Sequence, residues 1–227
     1  MSEVQASTRR FLKIAAAAAA GSVLASAGLG AFGSRARAQR KAPVAGVEYR
    51  PISPSVAVES GNKIEVLEFF WYACPHCAAL EPAIKEWAKQ LPADVAFRKV
   101  HVPFNELKHQ QLFYTLEAMG KGEAVIDKVF SAIHVDRDRM DSLDKITAQI
   151  TKAGLDKKAF NDAWESFGVQ TKMRKATSLA ATYRIESVPT IIVNGKYMTM
   201  PSIAGGNQGV LQVADLLIEQ ERTAAKK

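Results

Sequence analysis

The spacing of hydrophobic positions changes character several times along this chain, and the changes mark its elements. Residues 39–62 are a Pro/Gly-rich lead-in with one short edge strand predicted near Val47 to Ile52, and Gly61-Asn62 marks the turn into the central strand. Ile64 to Trp71 is nearly all β-branched, aromatic or Leu, as suits a strand buried on both faces. After Cys77 the period becomes helical: Leu80, Ile84 and Trp87 form a stripe, with Lys85, Glu86 and Lys89 off it. Pro82 lies inside this helix and predicts a kink, and Leu91-Pro92 ends it. Val95 to Val102 reads as a second buried strand.

Strand patterns then stop. Helical patterns take over at 104–119, 122–135, 142–153, 156–167 and 169–183, punctuated by Gly120, Gly154 and Gly168, with Asp141 and Asp156 as expected N-caps. Strand character returns at Thr190 to Val193. Asn194-Gly195 is a two-residue hairpin signal, succeeded by a strand over Lys196 to Met200. A turn-rich patch, Pro201 to Gly209, leads to a last helix over 208–221 with the stripe Val210, Leu211, Ala214, Leu217 and Ile218. The fold class is therefore α/β, with a helical insertion between two strands of one sheet.

Composition adds little to that picture, except at the N-terminus. The chain has 227 residues, 48% hydrophobic and 23% charged, room for one domain or one and a half. The net charge is +7, of which +4 falls in the first 38 residues, so the remainder is only mildly basic. No basic aromatic groove signals nucleic acid. Residues 1–38 read as an export signal. Arg9 and Arg10 precede an uncharged Ala/Gly-rich run from Ile14 to Ser34, and Ala36-Arg37-Ala38 is a small-x-small cleavage pattern before Gln39. Ser7 to Lys13 resembles a twin-arginine signal. The general secretion route and a retained anchor stay open as alternatives. Export to an oxidising compartment, the periplasm, is expected after cleavage near Ala38.

The only two cysteines, Cys74 and Cys77, fall between the buried strand and the first helix as Cys-Pro-His-Cys. Residues three apart in a first helical turn have Cα atoms about 5 to 6 Å apart, within disulfide reach. Pro75 suits the first helical position, where its missing N–H removes nothing the helix uses. Cys74 then sits near the N-cap, where free N–H groups and the positive dipole end stabilise a sulfur anion. A thiolate is both the attacking species and the better leaving group. His76 can add positive charge or a hydrogen bond, and Cys77, one turn in, is the resolving partner. Two other readings compete. A zinc site needs two more ligands, and the histidines (His76, His101, His109, His134) form no spaced pair. A structural disulfide here would close a very small loop and stabilise little. No metal, nucleotide or flavin signature is present, and no cofactor is expected.

Val66-Leu67-Glu68-Phe69-Phe70, Cys74-Pro75-His76-Cys77, His101-Val102, Val188-Pro189 and Val193-Asn194-Gly195-Lys196-Tyr197 together resemble the DsbA-like family, over about residues 60 to 220. The resemblance implies a thioredoxin-like fold, residues 63–103 and 184–227, with an inserted all-helical domain, 104–183. It implies an exported thiol:disulfide oxidase whose reduced form is the more stable. Its clients would be unfolded or folding proteins with free cysteines, and its reoxidant a quinone-linked membrane partner resembling DsbB. A monomer is expected on the same ground. The resemblance further implies a cis bond at Val188-Pro189 facing the cysteine pair, where substrate backbone could pair, with Thr190 adding a contact.

Glu68 and Lys99 are charges inside otherwise apolar strands, and fully buried Glu or Lys is rare unless paired. An exposed sheet edge would explain both. The resemblance instead places them beneath the cysteine pair, assisting proton movement. Glu81 is similarly spaced, one turn beyond Cys77, but an exposed helix position is the default expectation. His101 reads as a hydrogen-bonded structural histidine. Trp71, Phe104, Tyr114 and Met200 could line a groove, although core packing is the default for aromatics at such spacing. Three other functions remain: a disulfide isomerase or reductase, a peptide-binding chaperone module, and a glutathione-using transferase that would not need Cys77.

Overall fold

The computed structural model describes residues 41–104 and 106–225. The proposed export signal lies outside them. Strand β1 is only Arg50–Pro51, shorter than the expected 47–52 stretch. Strand β2, Ile64–Phe70, is the centre of the molecule, buried at every position after Ile64. Helix α1 spans Pro75–Lys89 and continues through Pro82 as one helix. Strand β3, Val95–His101, pairs parallel with β2 in a register running from Ile64 opposite Val95 to Phe70 opposite His101.

Five helices come next: α2 (Leu107–Ala118), α3 (Gly122–His134), α4 (Leu143–Lys152), α5 (Lys157–Trp164) and α6 (Phe167–Thr182). Each lies within the span its apolar periodicity predicts, give or take two residues. Asp156 caps α5 as expected, accepting from the Ala159 N–H. Asp141 does not cap α4. The cap is Ser142, whose hydroxyl accepts from the Lys145 N–H, while Asp141 pairs with the Lys145 side chain. Both residue types suit an N-cap; Ser142, in extended backbone, takes the role.

Strands β4 (Thr190–Val193) and β5 (Tyr197–Thr199) form the hairpin, joined at Asn194-Gly195 with both φ positive, as the two-residue turn requires. Short helix α7 (Pro201–Ala204) occupies the turn-rich patch, and α8 runs over Asn207–Ala224. The sheet order is β1-β5-β4-β2-β3, with β4 antiparallel to β2.

Alternation along β2 divides its apolar residues between two cores. Val66 packs with Leu80 and Ile84 of α1, Ile191 and Val193 of β4, and Val210, Ala214 and Leu217 of α8. Leu67 and Phe69 join the larger core that the helical segment completes with Leu112, Leu116, Ile126, Ile146 and Phe160. Phe70, at the end of β2, reaches Phe113 of α2 and Phe130 of α3 by ring contacts, so the strand's C-terminal end is gripped by the helical segment. Among the described residues, no helix is long and apolar enough to cross a membrane.

Candidate active site

The chain leaves β2 through Trp71-Tyr72-Ala73-Cys74. The Cys74 N–H donates to the Trp71 carbonyl at 3.0 Å, which closes a tight turn and delivers Cys74 to the N-cap of α1 in extended backbone. Pro75 occupies the first helical turn. The Cys74 carbonyl already accepts from the Ala78 N–H at 3.1 Å, so the helix starts directly beneath the sulfur. Both cysteines are free thiols; Cys74 is 7% exposed and Cys77 not at all. Pro75 and His76 stand exposed between them.

This placement separates the two sulfurs electrostatically. The Cys74 thiol is lowered to about 6, chiefly by a hydrogen bond from the Cys77 thiol; burial opposes the shift, and the backbone N–H groups of Cys77 and His76 and the His76 charge reinforce it. Burial pushes Cys77 far above the ordinary thiol range, and its hydrogen bond and proximity to Cys74 push the same way. Near neutral pH, one sulfur is an anion and the other keeps its proton.

Opposite the dithiol lies the loop before β4. The Val188–Pro189 peptide bond is cis, and the Cys74 Sγ donates to the Val188 carbonyl at 3.4 Å. Thr190 is buried, and its hydroxyl donates to the Ser187 carbonyl at 2.7 Å, tying the loop to the start of β4. The structure thus brings Val188, Pro189 and Cys74 together; Thr190 supports the loop from within and does not face outward. The Ser187 hydroxyl also donates to the Met200 sulfur at 3.7 Å.

The two strand charges are not at an exposed edge. Glu68 and Lys99 are register partners across β2 and β3, and their charged ends meet at 2.9 Å. Lys99 also donates to Glu81 of α1 at 2.5 Å. Glu68, Glu81 and Lys99 are 0%, 2% and 8% exposed. Glu81 is therefore a buried member of a triad and not the surface helix residue its spacing suggests; the sequence signal is its place one turn beyond Cys77. Burial raises the Glu81 carboxyl to about 7, Lys99 pulling it down and Glu68 pushing it up. For Lys99, burial disfavours the charge, but the two carboxylates outweigh it and hold the ammonium well above its ordinary value. The Glu68 charge also raises Cys77, which places the triad within electrostatic reach of the dithiol.

Aromatic side chains frame the turn. Trp71 packs edge-on against Phe104 with centroids 5.8 Å apart, and Phe104 is 41% exposed, so these two line the surface beside Cys74's turn. Tyr114 is buried and belongs to the core. His101 is fully buried: its Nε2 accepts the Tyr72 N–H at 3.1 Å, and burial, with His109 nearby, holds it well below the ordinary histidine value. His134, not singled out by the sequence, approaches the Tyr72 carbonyl with its Nε2 at 2.8 Å. Only the fold could reveal that contact, because residue 134 lies at the end of a helix remote in sequence. Among the described residues, no group of three His, Cys, Asp or Glu is placed to hold a metal.

Comparison with known proteins agrees with this geometry. The family model for a DSBA-like thioredoxin domain matches residues 65–217. The thiol:disulfide interchange protein DsbA of Azotobacter vinelandii is 44% identical over 207 residues, covering 90% of this chain and 97% of that protein. DsbA of Pseudomonas aeruginosa is 43% identical over 185 residues, covering 81% and 88%. The crystal structure of Pseudomonas aeruginosa DsbA superposes with a TM-score of 0.79, covering 82% of this chain and 97% of that one. The oxidoreductase NmDsbA1 of Neisseria meningitidis, 28% identical, gives 0.72 over 81% and 96%.

Proposed function

Because this chain belongs to the DsbA family and is a thiol:disulfide oxidoreductase, we propose that it works as an exported oxidase, passing a Cys74–Cys77 disulfide to folding proteins. A client thiolate attacks Cys74 Sγ. The Cys74–Cys77 bond breaks, a client–Cys74 mixed disulfide forms, and the Cys77 sulfur leaves and takes up a proton. A second client thiolate then attacks the client sulfur of the mixed disulfide, and Cys74 leaves as the thiolate. The client has gained one disulfide and lost two electrons to the cysteine pair.

The observation that carries this reading is the acidity of Cys74. Whatever stabilises its thiolate makes it the better leaving group in the second step and makes the reduced pair the more stable product, so the disulfide tends to be given away. His76 and Pro75 contribute the charge and the helix start that favour that anion. Glu81, poised near neutral pH beside Lys99 and Glu68, suits the proton that Cys77 must gain and lose. Val188, Pro189 and the strand start at Thr190 offer client backbone a place beside the sulfur.

On this reading the protein acts in the periplasm after removal of residues 1–38. It works as a monomer without a cofactor, and a quinone-linked membrane oxidoreductase resembling DsbB restores its disulfide. The test is equilibration of residues 39–227 with graded glutathione buffers, with free cysteines read by alkylation. A pair that stays reduced in a fairly oxidising buffer supports the oxidase. A disulfide that persists under strongly reducing conditions overturns it in favour of a reductase or a structural bridge.

A further inference from the structure

The turn that carries Cys74 is held at its centre by two histidines that arrive from different parts of the fold. His101, the last residue of β3, accepts the Tyr72 N–H at Nε2, 3.1 Å. A backbone N–H can only donate, so that nitrogen carries no proton and His101 is the neutral ring protonated at Nδ1. His134, the last residue of α3, faces the Tyr72 carbonyl at 2.8 Å, and a carbonyl can only accept, so His134 donates from Nε2.

These two bonds fix consecutive peptide planes. The Tyr72 N–H shares its plane with the Trp71 carbonyl, the group that receives the Cys74 N–H at 3.0 Å. The Tyr72 carbonyl lies in the next plane, one residue closer to Cys74. Rotation of the first plane would swing the Trp71 acceptor, and rotation of the second would re-aim the chain that runs through Ala73 into Cys74; either moves the sulfur relative to the Cys77 thiol and the N–H groups of His76 and Cys77. The Tyr72 side chain is fully buried against Phe70, Phe130 and His101, so the segment is fixed by packing as well.

We infer that His134, acting with His101 through the Tyr72 backbone, is a positioning residue that holds the redox turn in the geometry favouring the Cys74 thiolate. Through it the helical segment between β3 and β4 helps to set the oxidising strength of a dithiol built on the sheet. The inference rests on the reading of Cys74 as the reactive, acidic sulfur. The titratable groups that face Cys74 are Cys77 and His76, and both stay unchanged in the variants that test it.

The experiment compares wild type, His134→Leu, His134→Gln and His109→Leu as residues 39–227. For each, the pH midpoint of Cys74 alkylation and the dithiol–disulfide equilibrium against glutathione are measured, with far-UV circular dichroism as a check on folding. Leucine removes the donor, whereas a glutamine amide can restore one. His109 is a buried histidine of the helical segment whose ring also packs edge-on against Tyr72 but whose Nε2 contacts the Arg139 carbonyl, so it tests loss of a neighbouring histidine without loss of the bond to the Tyr72 carbonyl. His134 is only half-buried, so its replacement leaves the core in place.

Loss of one hydrogen bond predicts an alkylation midpoint about half a unit to one unit higher in His134→Leu, and an equilibrium moved about three- to tenfold toward the disulfide. His134→Gln is expected to return both most of the way to wild type, and His109→Leu to leave both in place. Unchanged values in His134→Leu, equal shifts in the Leu and Gln variants, or an equal shift in His109→Leu would each overturn the inference. A wild-type midpoint in the ordinary cysteine range would overturn the reading of Cys74 itself, and the inference with it.

Discussion

The Sγ of Cys74 lies 3.4 Å from the carbonyl oxygen of Val188, so the proline loop bonds the thiol and not the thiolate. A carbonyl accepts and cannot donate. When Cys74 ionises, this contact turns from attraction to repulsion, and the anion must be held from its other side by the Cys77 thiol and the N–H groups of α1. The ranking of those partners gives a first prediction. Cys77→Ala should raise the alkylation midpoint of Cys74 by more than about one unit, and His76→Ala by less, because the thiol is the largest contributor. Iodoacetamide rates against pH would show the order; a larger effect from His76→Ala would contradict it.

The same ionisation should appear in stability. The folded pKa of Cys74, about 6, lies below its unfolded value near 9.0, so its contribution is fully present above the unfolded value and lost as pH falls through the folded one. The reduced protein should therefore lose up to about 4 kcal/mol of stability relative to Cys74→Ser as pH drops from about 9 to below 6, by the conversion of pKa shift to energy. Urea titrations of both proteins under reducing conditions measure the difference, which should be absent if the thiolate is not specially held.

Glu81 predicts a slope of the opposite sign. Its carboxyl is raised from 4.5 to about 7, so its contribution is fully present below the unfolded value and lost as pH rises through about 7. Glu81→Gln should flatten the pH dependence across that window, a difference of about 3 kcal/mol at most, read by urea titration at each pH. Lys99→Met is far more severe, because Glu68 and Glu81 are then buried without a cation. A loss of about 3–5 kcal/mol is expected near neutral pH, partly recovered in acid as the carboxylates protonate.

Mixed-disulfide chemistry separates the two cysteines. Presented with a client that carries a disulfide, Cys77→Ala should attack it through Cys74, release the other client sulfur as a thiol and accumulate a client joined to Cys74, visible as a reducible band on a non-reducing gel, because an internal thiol no longer releases it. Cys74→Ser should form no such adduct. Turnover left intact by Cys77→Ala would point instead to a transferase-like chemistry needing one sulfur.

A backbone prediction concerns the hairpin. Gly195 has φ +65, and a Cβ there would overlap the Val56 carbonyl, which has no room to retreat because the Val56 N–H is bonded to the Gly195 carbonyl at 2.9 Å. Gly195→Ala should cost about 2 kcal/mol or more, from the left-handed backbone and the clash together, as read by thermal unfolding.

Much of this molecule is legible in its sequence because its signals are local. The run from Ile64 to Phe70, the Cys-Pro-His-Cys turn and Asn194-Gly195 each specify a backbone shape within a few residues, and the helical periods from 107 to 182 are strong enough to locate five helices. Glu68 and Lys99 could be singled out because a charge inside an apolar strand is conspicuous. Glu81 had only its spacing from Cys77 to mark it, and an exposed position stayed the default, because on a helix a charge every few residues is ordinary and only packing tells which one turns inward. The same holds for His134: its contact with Tyr72 spans 62 residues and depends on where α3 ends against the turn. Asp141 and Ser142 illustrate a finer limit, since adjacent residues of similar capping ability cannot be told apart from sequence, and here Ser142 caps while Asp141 pairs with the Lys145 side chain.

The two outer strands of the sheet have one further consequence. β1 is two residues long and ends in Pro51, which has no N–H to offer, and β3 carries the half-buried cation Arg98 beside Lys99, whose charge turns inward to Glu68 and Glu81. Short length, proline and cationic residues are the features that discourage an outside strand from docking on a sheet. On the proposed function the protein meets unfolded chains, whose segments pair readily with any open sheet. It would offer them a sulfur to react with while leaving its outer strands poor templates for aggregation.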